Sequence, residues 1–134
     1  MRLSPVLAAT VGVVLYGILI AVFYGASSTV PDSGSSIAGV IEVIALLLAW
    51  FLPALVAGGL SQHSPLKVGL ALGLALAAVD FVAKGVAVGL EFAVVTIVSF
   101  PFPQIFTGVS AVVFAYAGWR IRAVNSPPSK RHIA

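Results

Sequence analysis

The sequence predicts an all-α fold, an integral membrane protein built as a bundle of four transmembrane helices. Of the 134 residues, 60% are hydrophobic and only 8% are charged, and the mean hydropathy is +1.16. A soluble domain would carry charge on about a quarter of its residues. Short polar segments separate the long apolar runs, and each run is long enough to cross a bilayer. We therefore expect the lipid bilayer to surround most of the surface.

Two serine–proline pairs mark positions where helices begin. Ser4-Pro5 and Ser64-Pro65 each place an N-cap serine before a proline, whose fixed φ and missing N–H suit the first helical position. The first pair opens a charge-free run. A cleaved signal peptide is the alternative for this run, but its apolar core exceeds the usual length of about 7–15 residues. We expect the run to remain as a membrane span.

The last apolar stretch is too long for one straight crossing. Pro101 and Pro103 interrupt it, and a proline inside a helix removes a backbone hydrogen bond. We expect a kinked fourth helix; in the alternative, residues 92–102 lie at the interface and the crossing begins at Pro103. The predicted spans cover 5–25, 36–60, 65–90 and 92–120 of a transmembrane domain at 1–122, followed by a basic, disordered cytoplasmic tail at 123–134.

The positions of the basic residues predict the orientation in the membrane. Lys and Arg lie near the N-terminus, in the loop between spans two and three, and at the C-terminal end. The loop between spans one and two has none. The positive-inside rule then places both termini in the cytoplasm, and we expect a prokaryotic cytoplasmic membrane. This distribution does not fit a nucleic-acid surface, so no nucleic-acid partner is expected.

Three ionisable residues inside predicted spans mark a candidate ion or substrate site. Asp80 and Lys84 are one helical turn apart in span three, and Glu42 lies near the start of span two. Charged groups are costly in hydrocarbon and usually face a bundle interior or a watery cavity. Glu42 lies about 9 Å below the outer end of its helix and Asp80 about 22 Å above the inner end of its own, hence at a similar depth. With Gln104 and Thr107 of span four, they form the predicted site.

Two interpretations of these charges remain open. An Asp–Lys pair with the acid first at i,i+4 can neutralise itself and fix helix packing, while Glu42 reaches headgroup water. Alternatively, the two carboxylates exceed the single lysine, and the surplus negative charge favours cation or proton handling.

Small residues predict which helix faces touch. Gly69-x-x-x-Gly73 and Gly85-x-x-x-Gly89 fit the motif through which membrane helices approach closely. At about 100° per residue, small residues occupy two opposite sides of span three. We expect this span to lie between neighbours and to be the most buried.

Enzymatic chemistry lacks its usual residues in this sequence. There are no cysteines, which excludes disulfides and thiolate sites. His63 lies in a polar loop and His132 in the tail, so neither histidine is placed to activate a serine within a span or to join a metal site. We expect no enzyme, no metal site and no cofactor.

The length and the predicted span count are similar to those of small multidrug transporters and fluoride channels. Multidrug transporters carry a coupling glutamate in the first span, where this chain has no acid, and the asparagine and phenylalanine–threonine pattern of fluoride channels is not found. No family is assigned. The first functional hypothesis is a non-enzymatic assembly or accessory component that packs through small-residue helix faces, as a homo-oligomer or in a larger membrane complex. The alternative is a small oligomeric transporter or channel for a cation or proton.

Overall fold

The computed structural model describes residues 3–27, 36–61 and 64–126, and this part of the chain is almost entirely helical. Three of its helices are long and apolar enough to cross a membrane, and a bent pair near the C-terminus passes the same test as one unit. The all-α membrane fold predicted from the sequence is therefore confirmed. The helices are α1 (Pro5–Ser27), α2 (Ser36–Leu60), α3 (Pro65–Val88), α4 (Leu90–Ser99) and α5 (Phe102–Asn125).

The serine–proline pairs begin helices as predicted. The Ser4 hydroxyl accepts a hydrogen bond from the Leu7 N–H at 3.3 Å, and the Ser64 hydroxyl accepts one from the Lys67 N–H at 3.4 Å. Each bond satisfies one of the backbone donors that a helix start leaves unpaired.

The predicted kink is a complete break between α4 and α5, whose axes differ by 73°. Phe100 leaves the helical region, with φ −140 and ψ 72, because the ring of Pro101 crowds the preceding residue. At 1.5 Å per residue, α4 is about 15 Å long and cannot cross a bilayer core alone. An α5 that crosses along the bilayer normal places α4 close to the membrane plane.

Gly89 separates α3 from α4. Its φ of +96° lies in the region that favours glycine, and its N–H donates to the Gly85 carbonyl at 3.1 Å. A β-carbon built on Gly89 meets nothing within 4 Å, and one on Gly85 meets only a side-chain carbon of Leu90 at 3.7 Å. Within the described residues, this second glycine pair therefore ends a helix and does not bring two helices close together.

The core lies where α1 and α5 pack against α2 and α3. It is made mostly of alanines, which let the helix backbones approach closely. Val68 and Leu72 are among the largest fully buried side chains. Among the three long spans, α3 has the largest buried share, as expected, and its buried positions all belong to its first half, which packs against α5 and α1. The core cluster consists of Ala8, Ala9, Ala54, Ala57, Val68, Leu72, Leu76 and Ala111.

Glycines bring α5 into backbone contact with α2. A β-carbon on Gly58 would overlap the Ala115 carbonyl, and one on Gly118 would overlap the Leu55 carbonyl. Neither obstacle can rotate away, because both belong to the backbone. These two positions admit no side chain.

Two further glycines bring α3 against α5. A β-carbon on Gly69 would stand 2.5 Å from the Val112 Cα, and one on Gly73 would stand 3.0 Å from the Gly108 Cα. Gly69 and Gly73 thus lie at a helix contact inside the chain. The small-residue faces of α2, α3 and α5 are largely occupied by one another.

One end of the bundle gathers the described start of the chain and the end of α5. The Leu3 N–H donates to the Leu60 carbonyl at 3.0 Å, and the Arg122 guanidinium donates to the Gly59 carbonyl. A cation there also complements the negative end of α2. We call this end, which also holds Lys67 in the first turn of α3, the basic end.

The C-terminal helix is longer than the predicted span. It continues through Asn125, so the first residues of the predicted tail are helical. Residues 127–134, which include His132, lie outside the described residues, as do His63 and the greater part of the loop between α1 and α2.

Candidate functional site

Four of the five residues predicted for the site converge on one cleft. Asp80 and Lys84 project from α3, and Gln104 and Thr107 project from the first turns of α5. The cleft has a volume of about 90 Å³. It lies about 20 Å from the basic end, measured along α3 at 1.5 Å per residue, and so within the apolar part of the bundle.

An ion pair forms one wall of the cleft. The Lys84 Nζ lies 2.7 Å from the Asp80 Oδ2, and the Gln104 Nε2 donates to the same oxygen at 3.3 Å. The Lys84 and Asp80 side chains are 34% and 46% exposed. The pair therefore sits at the open rim and is not sealed inside the bundle. Among the described residues, the second Asp80 oxygen makes no hydrogen bond, so it remains available as an acceptor.

The Gln104 carbonyl oxygen is buried and has no hydrogen-bond partner among the described residues. The amide group is oriented with its nitrogen toward Asp80, because a flipped amide would place its oxygen against the Asp80 carboxylate. A buried acceptor left unpaired costs about 1–3 kcal/mol. A donor from water or a ligand would remove that cost.

Two hydroxyl groups of α5 also face the cleft as acceptors. Thr107 donates its proton to the Pro103 carbonyl at 2.8 Å, and Ser110 donates to the Thr107 carbonyl at 3.0 Å. Both hydroxyl oxygens keep lone pairs for a ligand. Pro103 itself has no N–H, which removes one of the donors that a helix start would otherwise present here.

Aromatic side chains from the other two long helices close the cleft. Trp50 comes from α2 and Tyr16 from α1. The Trp50 ring is supported by Phe106 of α5, with ring centroids 5.7 Å apart. Neither Trp50 nor Ser110 was among the residues predicted for the site. Ser110 lies one turn beyond Thr107, which was a usable signal, whereas the position of the partly exposed Trp50 beside the cleft depends on how α2 packs.

Glu42 does not line the cleft. It is exposed and lies about 12 Å along α2 from Trp50, at 1.5 Å per residue. Residues 39–48 around it are exposed at every position except Ala45, which is half-buried. Among the described residues, the only ion pair is the one between Lys84 and Asp80, so Glu42 has no charged partner within them.

The cleft has the chemistry of a binding site for a hydrogen-bond donor. Several oxygen acceptors on its walls keep free lone pairs, and the ion pair is neutral as a unit. No group of three or more His, Cys, Asp or Glu side chains lies together in the described parts of the chain to hold a metal ion. No protein-family model, curated protein or solved structure matches this chain.

Proposed function

We propose that this chain is a non-enzymatic membrane protein that assembles with a second copy of itself through the first half of α2. The observation that carries the proposal is the position of Glu42, on a helix segment exposed on nearly every side. Ionisable side chains in membrane helices almost always face a protein interior, a cavity or a partner group, because hydrocarbon does not solvate charge. A covering copy would supply that partner.

The depth of the charges supports a second copy as the partner. Glu42 lies about 27 Å along α2 from the basic end, and Lys84 about 28 Å along α3 from the same end, at 1.5 Å per residue. A two-fold axis along the membrane normal keeps every group at its own depth, so Glu42 of one copy and Lys84 of the other lie at depths that allow contact. Glu42 of one copy would then meet Lys84 of the other, whose ammonium has two protons left after the bond to Asp80.

The contact surface of this dimer differs from the one in the first functional hypothesis. The glycine and alanine faces of α2, α3 and α5 are taken up inside the bundle, whereas the first half of α2 exposes large aliphatic side chains. These include Ile41, Val43, Ile44 and Leu47. The proposed assembly therefore packs through branched and long aliphatic residues around Glu42.

Cysteine cross-linking tests the assembly, because the chain has no cysteine of its own. Val43→Cys places a single thiol beside Glu42, and Val22→Cys places one on an exposed position of α1 at a similar depth. We expect an oxidant to convert the Val43 variant into a covalent dimer in native membranes and to leave the Val22 variant mostly monomeric. Equal cross-linking of the two variants would contradict the proposal.

The orientation is part of the same proposal: both termini lie in the cytoplasm, across a prokaryotic cytoplasmic membrane. The support is the gathering of Lys67, Arg120 and Arg122 toward the end of the bundle where the described chain begins, together with the positive-inside rule. Reporter fusions at the two ends should both report the cytoplasmic side. Opposite signals from the two fusions would refute this orientation.

A second function, the handling of a small cation, is favoured by the cleft. Its walls hold a carboxylate, an unpaired amide oxygen and two hydroxyl oxygens at a depth where water is scarce. Flux of a cation into liposomes that contain the purified protein would support this function. Absence of flux for protons and common monovalent cations would count against it.

A further inference from the structure

Several oxygen acceptors on the walls of the cleft keep lone pairs for a ligand. The acceptors are the second oxygen of Asp80, the buried oxygen of Gln104 and the hydroxyl oxygens of Thr107 and Ser110. The donors are the ammonium of Lys84, part of which is already used by Asp80, the second N–H of the Gln104 amide and the indole N–H of Trp50. A ligand that satisfies this wall must bring several N–H or O–H donors of its own.

The aromatic side of the cleft favours a cationic donor over a neutral one. Trp50 and Tyr16 line the wall contributed by α2 and α1, and the Trp50 ring is held in place by Phe106. The face of an indole ring attracts cations through its quadrupole. An ammonium group in the cleft would have oxygen acceptors on one side and an aromatic surface on the other.

Hydrogen bonding, more than size, distinguishes among small cations at this open cleft. Ammonium and methylammonium each bring several N–H donors to the acceptors on its walls. Tetramethylammonium has no N–H donor, so it cannot satisfy those acceptors.

Lys84 shows that the carboxylate accepts a primary ammonium group. Its Nζ lies 2.7 Å from the Asp80 Oδ2, at the open rim of the cleft. The lysine is tethered one helical turn away, and its flexible stem can carry the charged head outward to water or headgroups. An incoming cation would take the place of this tethered ammonium, because two like charges at one carboxylate repel each other.

We infer that the cleft binds a small primary ammonium ion between Asp80, Gln104 and the face of Trp50, with Lys84 turned outward. The inference names the ligand of the second proposed function and rests on it for its biological role. The cleft itself is formed within one copy, whereas in the proposed dimer Glu42 of the second copy would hold Lys84 in its outward position.

Fluorescence titration of the purified protein in detergent tests the inference. The chain has two tryptophans, so Trp119→Phe leaves Trp50, which lines the cleft, as the single reporter. We expect methylammonium to change the emission saturably, and tetramethylammonium to leave it unchanged at equal concentration. No saturable change with methylammonium, or an equal change with both cations, would overturn the inference.

Two substitutions in this background give opposite expected shifts. Lys84→Met removes the competing ammonium and should tighten methylammonium binding by about ten-fold or more. Gln104→Leu removes the unpaired acceptor and should weaken it by about ten-fold. Weaker binding in Lys84→Met would mean that the lysine itself holds the ligand, which would overturn the inference.

Controls separate folding, assembly and transport from binding. Gln104→Glu keeps both the size of the side chain and an acceptor oxygen. If Gln104→Leu weakens methylammonium binding through the lost acceptor, Gln104→Glu should restore or strengthen it. Val22→Ala, at an exposed position of α1 outside the cleft, should leave the affinity unchanged. Binding without methylammonium flux in liposomes would keep the site and refute the transport function, so failure of one is distinguishable from failure of the other.

Discussion

Gly118→Ala should destabilise the bundle far more than Gly108→Ala, although both change one glycine of α5 to the same residue. The added methyl at position 118 would overlap the Leu55 carbonyl of α2, whereas a methyl at position 108 meets nothing within 4 Å. Overpacking a tight contact costs about 1–3 kcal/mol, and we expect the upper end here because the obstacle is backbone. At an open helical position such as 108, replacing glycine with alanine raises the free energy of unfolding by about 0.5–1 kcal/mol, because alanine loses less backbone entropy on folding than glycine does.

The two variants should therefore differ by about 4 kcal/mol in their free energy of unfolding. Unfolding in mixed micelles with increasing SDS, followed by tryptophan fluorescence and circular dichroism, measures this difference. Gly58→Ala and Gly39→Ala repeat the comparison on α2, where position 58 is closed by the Ala115 carbonyl and position 39 is open. If Gly118→Ala unfolds at the same SDS concentration as Gly108→Ala, then α2 and α5 are not in backbone contact there.

Three further substitutions test other features of the fold. Gly89→Ala should lower the free energy of unfolding by about 1–3 kcal/mol, because a φ of +96° is strained for a residue with a β-carbon. Gly85→Ala, where a β-carbon has ordinary space, should be close to neutral in the same SDS titration. Asp80→Asn and Lys84→Met should each lower the SDS concentration at the unfolding midpoint. The double variant should recover most of this loss, because removing both partners leaves no unpaired charge. Additive losses would show that the two residues are not coupled. Arg122→Met should lower stability by about 1–3 kcal/mol through the lost hydrogen bond to the end of α2; an unchanged midpoint would refute that role.

Much of the fold could be predicted from the sequence because it depends on local signals. Ser4-Pro5 and Ser64-Pro65 fix the starts of α1 and α3, and the apolar runs that follow fix their lengths to within about two residues. Pro101 and Pro103 predicted a disturbance in the last span, and the structure shows a break of 73° there. The angle itself could not be predicted, because it depends on where α4 finds a surface on α3.

The candidate site could be predicted only in part, since it depends on which faces meet. The i,i+4 spacing places Asp80 and Lys84 side by side, and the same face of α5 carries Gln104 and Thr107. The arithmetic of helical rise gave Glu42 a depth similar to that of Asp80, but depth does not determine the direction in which a side chain points. The first half of α2 is exposed beyond the bundle, so Glu42 stays apart from the cleft.

The mass of the assembly tests the central claim most directly. Native mass spectrometry of the protein released from lipid nanodiscs should report a dimer for the unmodified chain and a mainly monomeric species for Glu42→Gln. A monomer for both proteins would contradict the claim that a second copy covers the exposed first half of α2.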